Sequence, residues 1–161
     1  MKILHIVGGE LTGGAARGAY WLHEGLLSSG VDSRILSNTE DTIGDQSVTS
    51  ISLTKKQKIY NFIRSQLDQF PAIFYLKREK IIFSTSFIGF DLRNHPLVDW
   101  ADIIHLHWIN RGLVNIKHLS EIEKPIIWTM RDMWPFTGGC HYSNQCNNYE
   151  SDCGYCRQLR S

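Results

Sequence analysis

No stretch of the 161 residues is long and apolar enough to cross a membrane, and the amino terminus, MKILHIVGG, lacks the apolar core and cleavage site of a secretion signal. Net charge is also nearly absent. The 17 Lys and Arg against 16 Asp and Glu leave +1, which excludes a globally basic nucleic-acid binder but not a local patch. The sequence has no internal repeat and no low-complexity tract. These absences imply a cytoplasmic protein, where persistent disulfides are disfavoured, so the four cysteines need another explanation. What is present is ordinary for a globular chain, 42% apolar and 20% charged, and long enough to bury one core.

The chain begins with KILHIV, Lys2 to Val7. Its near-continuous apolar character predicts a strand covered on both faces, as in a parallel sheet. Gly8 to Gly14, GGELTGG, reads as a glycine-rich turn. A helix follows over Ala15 to Ser29, with Ala15, Ala19, Leu22 and Leu26 on one face and Gly30 as its stop. Val31 to Leu36 predicts a second strand, completing a right-handed βαβ unit. Glycines before a helix suit either of two roles. They form a tight strand-to-helix turn, or they let an anion approach the N–H groups of the first helical turn. The spacing is neither G-x-G-x-x-G nor a Walker A loop, and Ser37 and Asn38 supply no acid for a dinucleotide ribose, so an oxidoreductase reading is the weakest.

Asn38 to Thr54 is polar and reads as a surface loop. From Lys55 to Phe90 the composition turns basic and aromatic. Lys55, Lys56, Lys58, Arg64, Lys77, Arg78 and Lys80 accompany Tyr60, Phe62, Ile63, Phe70, Ile73, Phe74 and Tyr75, with Pro71 expected to divide the segment into two helices. Two uses remain open. A basic amphipathic helix can lie on an anionic membrane; the commoner outcome is a helix that packs its apolar side on the sheet.

Ile103 to Trp108, IIHLHW, predicts another strand with His105 and His107 on one face and its end at His107–Asn110. A short helix is expected over Leu113 to Ile122. Pro125-Ile126-Ile127 then predicts a buried strand. Past Met130 the pattern breaks into Trp, Pro, Thr and Gly, so the backbone leaves the sheet where an open α/β fold lines its ligand crevice.

Three segments in order, GGELTGGAARGAYWLHEGL, ADIIHLHWIN and WTMRDMWPFTGGCHY followed by C and CGYC, resemble the N-terminal domain of the family-four retaining glycosyltransferases, closest to their bacterial exopolysaccharide (colanic-acid-like) branch. The resemblance implies a Rossmann-like α/β domain with a mainly parallel sheet. It would be the acceptor half of the two-domain GT-B architecture, occupying 1–161 with a cysteine-rich loop at 134–157, and a donor-binding domain would lie beyond Ser161. By itself such a half would be inactive. The resemblance further implies a nucleotide-sugar donor and a glycan or lipid-linked acceptor; the basic, aromatic segment Lys55 to Lys80 would bring the domain to the inner membrane face. Gly13 and Gly14 would lie near the donor phosphates. His107, Arg131 and Asp132 become the catalytic candidates, and Trp108, Asn110 and Trp134 join the glycines as substrate-binding candidates. The family has histidine where this chain has Arg131, which keeps donor capacity and charge but cannot exchange protons near neutral pH.

Cys140, Cys146, Cys153 and Cys156 follow C-x5-C-x6-C-x2-C spacing, with His141 alongside. Structural zinc, two disulfides and free thiols all compete. A long loop with few aliphatic residues favours a metal staple. A rival of another class is a non-catalytic, zinc-stapled module stacking sugars or nucleotides on Trp108, Trp134, Tyr142 and Tyr149.

Overall fold

The computed structural model describes residues 1–39, 43–51, 53–79 and 81–160. Lys80, at the end of the basic segment, Ser161, and the loop residues 40–42 and 52 lie outside the described residues. Five parallel strands form one sheet: β1 (Lys2–Val7), β2 (Asp32–Ser37), β3 (Val48–Ser50), β4 (Ile103–Leu106) and β5 (Ile126–Trp128), in the order β3-β2-β1-β4-β5. Helices α1 (Gly14–Ser28), α2 (Lys55–Ile73), α3 (Pro96–Trp100) and α4 (Ile116–Leu119) complete the Rossmann-like α/β fold. The central strands are covered on both faces, which is why β1 reads as an unbroken apolar run: Leu4, Ile6 and Val7 are fully buried, with Ile104 and Leu106 of β4 beside them.

The chain departs from the sequence-based expectations at several points. Val48–Ser50, inside the predicted loop, is a strand because it pairs with Ile35–Ser37, not because of its own composition. The inward face of α1 is Ala16, Ala19 and His23, while Leu22 is exposed. His23 is accommodated because its ring nitrogens bond the hydroxyls of Ser33 (2.7 Å) and Ser47 (2.8 Å). The helix expected over Leu113 to Ile122 is only α4: Leu113 and Val114 are buried in the core ahead of it, and Asn115 caps its start. The strand expected to be buried at Pro125–Ile127 is an edge strand. It pairs only with β4, and Ile127 is 50% exposed.

Helix α2 departs furthest. Pro71 falls in its last turn, where it removes only one of the helix's final hydrogen bonds, so one helix runs through it, and no second helix follows among the described residues of the basic segment. A capping box fixes the start: the Thr54 side chain accepts from the Gln57 N–H, and Gln57 accepts from Thr54 N–H. The helix buries polar residues, Arg64 and Asp68 with Ala72, and exposes Ile59, Tyr60, Phe62, Ile63, Leu67, Phe70 and Ile73. The expectation of an apolar side against the sheet is therefore reversed. The reason lies in what the helix meets. Arg64 lies 5.4 Å from the rings of both Tyr60 and Phe90, and Asp68 accepts the Thr85 hydroxyl at 2.9 Å. No helix among the described residues is long and apolar enough to cross a membrane.

Candidate functional site

The carboxyl ends of β1, β4 and β5 converge on a cavity of about 330 Å³, with Gly8, Gly9, Gly13, Gly14, Ala16, Trp108, Arg131, Asp132, His141 and Tyr142 among its lining. The start of α1 is one wall. Its N-cap is Gly13, which has no side chain with which to cap, so the N–H groups of the first turn keep their donor capacity toward the cavity. Gly8 holds the turn against β4 by donating to the Trp108 carbonyl at 2.7 Å.

Arg131 joins the same lining. Its guanidinium lies over Gly18 of α1, where a Cβ would come within 2.9 Å of Nη1. Its Nη2 is 3.3 Å from Nδ1 of His107. Behind His107, Nε2 meets Nδ1 of His5 at 3.0 Å. The parallel register places His5 opposite His105, and the rings of His105 and His107 stack at 4.3 Å. Burial, then the charge of neighbouring histidines, depresses both His5 and His107 to about 3 from an ordinary 6.5. Both are thus neutral. A neutral His107 accepts from Arg131 at Nδ1, which places its one hydrogen on Nε2, pointing at His5.

The nitrogens of His5, His105 and His107 lie within 4.8 Å of one another, near enough to share an ion. Their hydrogen bonding opposes that use: the hydrogen on His107 Nε2 occupies the shared space, and Arg131 brings a positive charge. His105 Nε2 is in turn tied to the Thr129 hydroxyl at 2.7 Å. The group acts as a buried brace that aims Arg131 at the cavity.

Asp132 organises the other side. Its Oδ2 accepts from the Trp108 indole at 3.0 Å and from His141 Nδ1 at 2.5 Å, while Oδ1 accepts the Trp134 N–H at 3.0 Å. His141 Nε2 then accepts the Ser84 hydroxyl at 2.9 Å. Serine, histidine and aspartate in series suggest a nucleophile, but Ser84 is buried and lines neither this cavity nor the ones described below. The series fixes the position of the Trp108 ring instead.

The structure thus brings together Gly13, Gly14, Trp108, Arg131 and Asp132. His107 stands one hydrogen bond behind. Asn110 and Trp134 stand apart from the cavity: Asn110 is buried with its amide on the Ser86 hydroxyl, and Trp134 lies in the core with its indole on the Ser84 carbonyl. His5, Gly18, Ser84 and His141 were missed as site residues. His141, adjacent to a cysteine in a polar loop, carried the one available signal.

A larger cavity of about 430 Å³ adjoins the first through Gly9 and Trp108, and extends under α2 to Asn38, Thr39, Lys58, Asn61, Ser65 and Arg111. All four cysteines line a third, small cavity of about 80 Å³. None is in a disulfide, and burial pushes the Cys140 thiol up. Among the described residues the histidines are the one set of three or more whose donor atoms fall within 4.8 Å, so the cysteines share a cavity without having closed on a point.

The fold and this edge define a parallel α/β protein with a glycine-and-arginine cavity at the topological switch between β1 and β4, where such sheets bind ligands. A 70-residue stretch of the chain is 27% identical to an Escherichia coli (strain K12) protein, WcaC, provisionally described as a colanic acid biosynthesis glycosyl transferase. The match takes in 41% of this chain and 17% of the relative. No family model matches the sequence. No solved structure matches it either.

Proposed function

We propose that the chain is the acceptor-side half of a retaining GT-B glycosyltransferase of family four, acting in the assembly of a surface polysaccharide. The observation that carries this reading is the cavity lined by both the uncapped, glycine-rich start of α1 and Arg131. Donor N–H groups and a guanidinium in one cavity suit the diphosphate of a nucleotide-sugar. The similarity to a glycosyl transferase supports the same class.

In this reading Gly13, Gly14 and Arg131 hold the donor's phosphates, in part, while a second domain grips the nucleotide. His107 orients Arg131. Asp132 holds Trp108, which borders the sugar, while Asn110 and Trp134 support the site from behind. The acceptor hydroxyl attacks the anomeric carbon from the face on which the nucleoside diphosphate leaves, and this half contributes position and charge, not a covalent intermediate. The enzyme works in the cytoplasm, with the exposed apolar face of α2 and Lys55, Lys56, Lys77 and Arg78 set against the inner membrane, where a lipid-linked acceptor resides. The four cysteines take a structural zinc. A non-catalytic sugar-stacking module has less support, because the Trp134 ring it requires is buried in the core.

Titrating isotope-labelled protein with a nucleoside diphosphate tests the reading. Amide shifts at Gly13 and Gly14 with a side-chain shift at Arg131 are expected; saturation without change at these groups would overturn it. The domain alone should transfer no sugar.

A further inference from the structure

The larger cavity has so far no assigned ligand. It opens between the ends of β1 and β2 and helix α2, and its wall carries Asn38, Asn61 and Arg111. Asn61 is fixed from both sides, with its amide on the Asn38 carbonyl at 3.1 Å and its Oδ1 accepting Arg64 Nη2 at 2.9 Å. Arg64 is the unusual group. It is 7% exposed, its Nε has no acceptor, and no carboxylate pairs with it among the described residues. A guanidinium stays charged even when buried, and its field is poorly screened where water is thin. Two further cations, Lys58 and Arg111, stand on the cavity wall, and Arg111 has φ 54°, a left-handed conformation that a long side chain seldom adopts. The Arg111 guanidinium is 6.0 Å from the Trp108 ring. The described lining residues include no acid.

Two features have to be matched by one ligand. Fixed amides, hydroxyls and an aromatic face suit the hydroxyls and C–H face of a sugar. Two arginines without carboxylate partners among the described residues call for negative charge. We propose that this cavity receives an acceptor saccharide bearing a carboxylate, with the carboxylate directed at Arg111 and the Arg64 charge behind Asn61 reinforcing it. The proposal rests on the glycosyltransferase reading. It extends that reading by naming the charge of the acceptor, and it places the acceptor against Trp108, the wall shared with the donor-side cavity.

The test is a titration of the intact chain at low salt, read at the Trp108 indole resonance. The probes are a methyl hexuronoside, the matching methyl hexoside and inorganic phosphate. The hexuronoside should bind about tenfold more tightly than the hexoside. Arg111→Asn, a residue that tolerates left-handed backbone, should remove most of the hexuronoside's preference over the hexoside, whereas Arg111→Lys should retain more of it. Equal binding of the two glycosides overturns the charge assignment while leaving the glycosyltransferase reading in place. Phosphate binding as tightly as the hexuronoside would reduce the cavity to a simple anion site and overturn the proposal. If neither glycoside binds while a nucleoside diphosphate still shifts Gly13 and Gly14, the acceptor assignment of this cavity fails and the donor side stands.

Discussion

Arg131 rests on Gly18 with no side chain between them: a Cβ on Gly18 would be 2.9 Å from Nη1, 3.1 Å from Nη2 and 3.2 Å from Cζ. The cationic wall of the glycine-and-arginine cavity therefore depends on one missing methyl group in α1. Alanine is the better helix former by about 1 kcal/mol, and the group it displaces is the end of a flexible side chain. Gly18→Ala should accordingly leave folding stability unchanged or slightly raised. It should also weaken nucleoside diphosphate binding severalfold by lifting Arg131 from its seat. Denaturant midpoints and a binding titration on the same preparation check both halves, and undiminished affinity would show that Arg131 does not need this seat.

Acid should destabilise the fold through its buried histidines. His5 and His107 are depressed to about 3 from 6.5, burial being the larger cause. As pH falls below 6.5 the unfolded chain takes up protons that the folded chain refuses, so stability is complete above that pH and declines toward pH 3. By pH 5 each histidine would contribute a loss of about 2 kcal/mol, shared rather than additive because the rings are coupled. Urea midpoints at pH 7.5, 6 and 5 measure this; a flat profile would mean that the histidines are solvated.

The four cysteines should hold about one zinc per chain, with sulfurs drawn in to about 2.3 Å from the metal. Elemental analysis of protein purified without added metal, together with a thiol count under denaturing, non-reducing conditions, decides it. One zinc and four thiols after chelation support the staple. Absence of both metal and titratable thiols means two disulfides, and four thiols without metal mean a loop held by its aromatic residues. Cys153→Ser should abolish metal binding and loosen the loop around Trp134 while leaving β1 and β4 folded.

The exposed face of α2 should bind anionic vesicles. Phe70 and Phe74 meet edge-on at 5.2 Å among other exposed apolar residues, and each lysine near the charged surface adds about 1 kcal/mol. Sedimentation with vesicles should show binding that rises with anionic lipid and falls with salt. Phe70→Ser and Phe74→Ser together should reduce it. Equal binding to neutral vesicles would remove the electrostatic part of the proposal.

Much of this architecture was legible in the chain itself. The unbroken apolar run of β1, followed by a glycine turn, a helix and the second strand, specified a parallel sheet, and the break after Met130 marked where the backbone leaves it. Val48–Ser50 was not legible, since a polar strand of three residues owes its existence to the register of its neighbour. The reversed burial of α2 was hidden for a related reason. Arg64 and Asp68 are inside because Phe90 and Thr85 meet them there, a relationship between segments roughly twenty residues apart. At the site, His107 and Arg131 could be picked out singly. The bond joining His107 to His5 depends on strand pairing, and the Ser84–His141–Asp132 series depends on how a long loop returns to the sheet.

Trp108 is a partition. Its indole lines both cavities, and its N–H is held by Asp132, with His141 Nδ1 at 3.4 Å. An occupant of one compartment that displaces this ring would change the affinity of the other, and the factor would be the same in either order. Cutting that tether with Asp132→Ala would leave two vacant rooms with a swinging door, and the reciprocal factor between them would approach one.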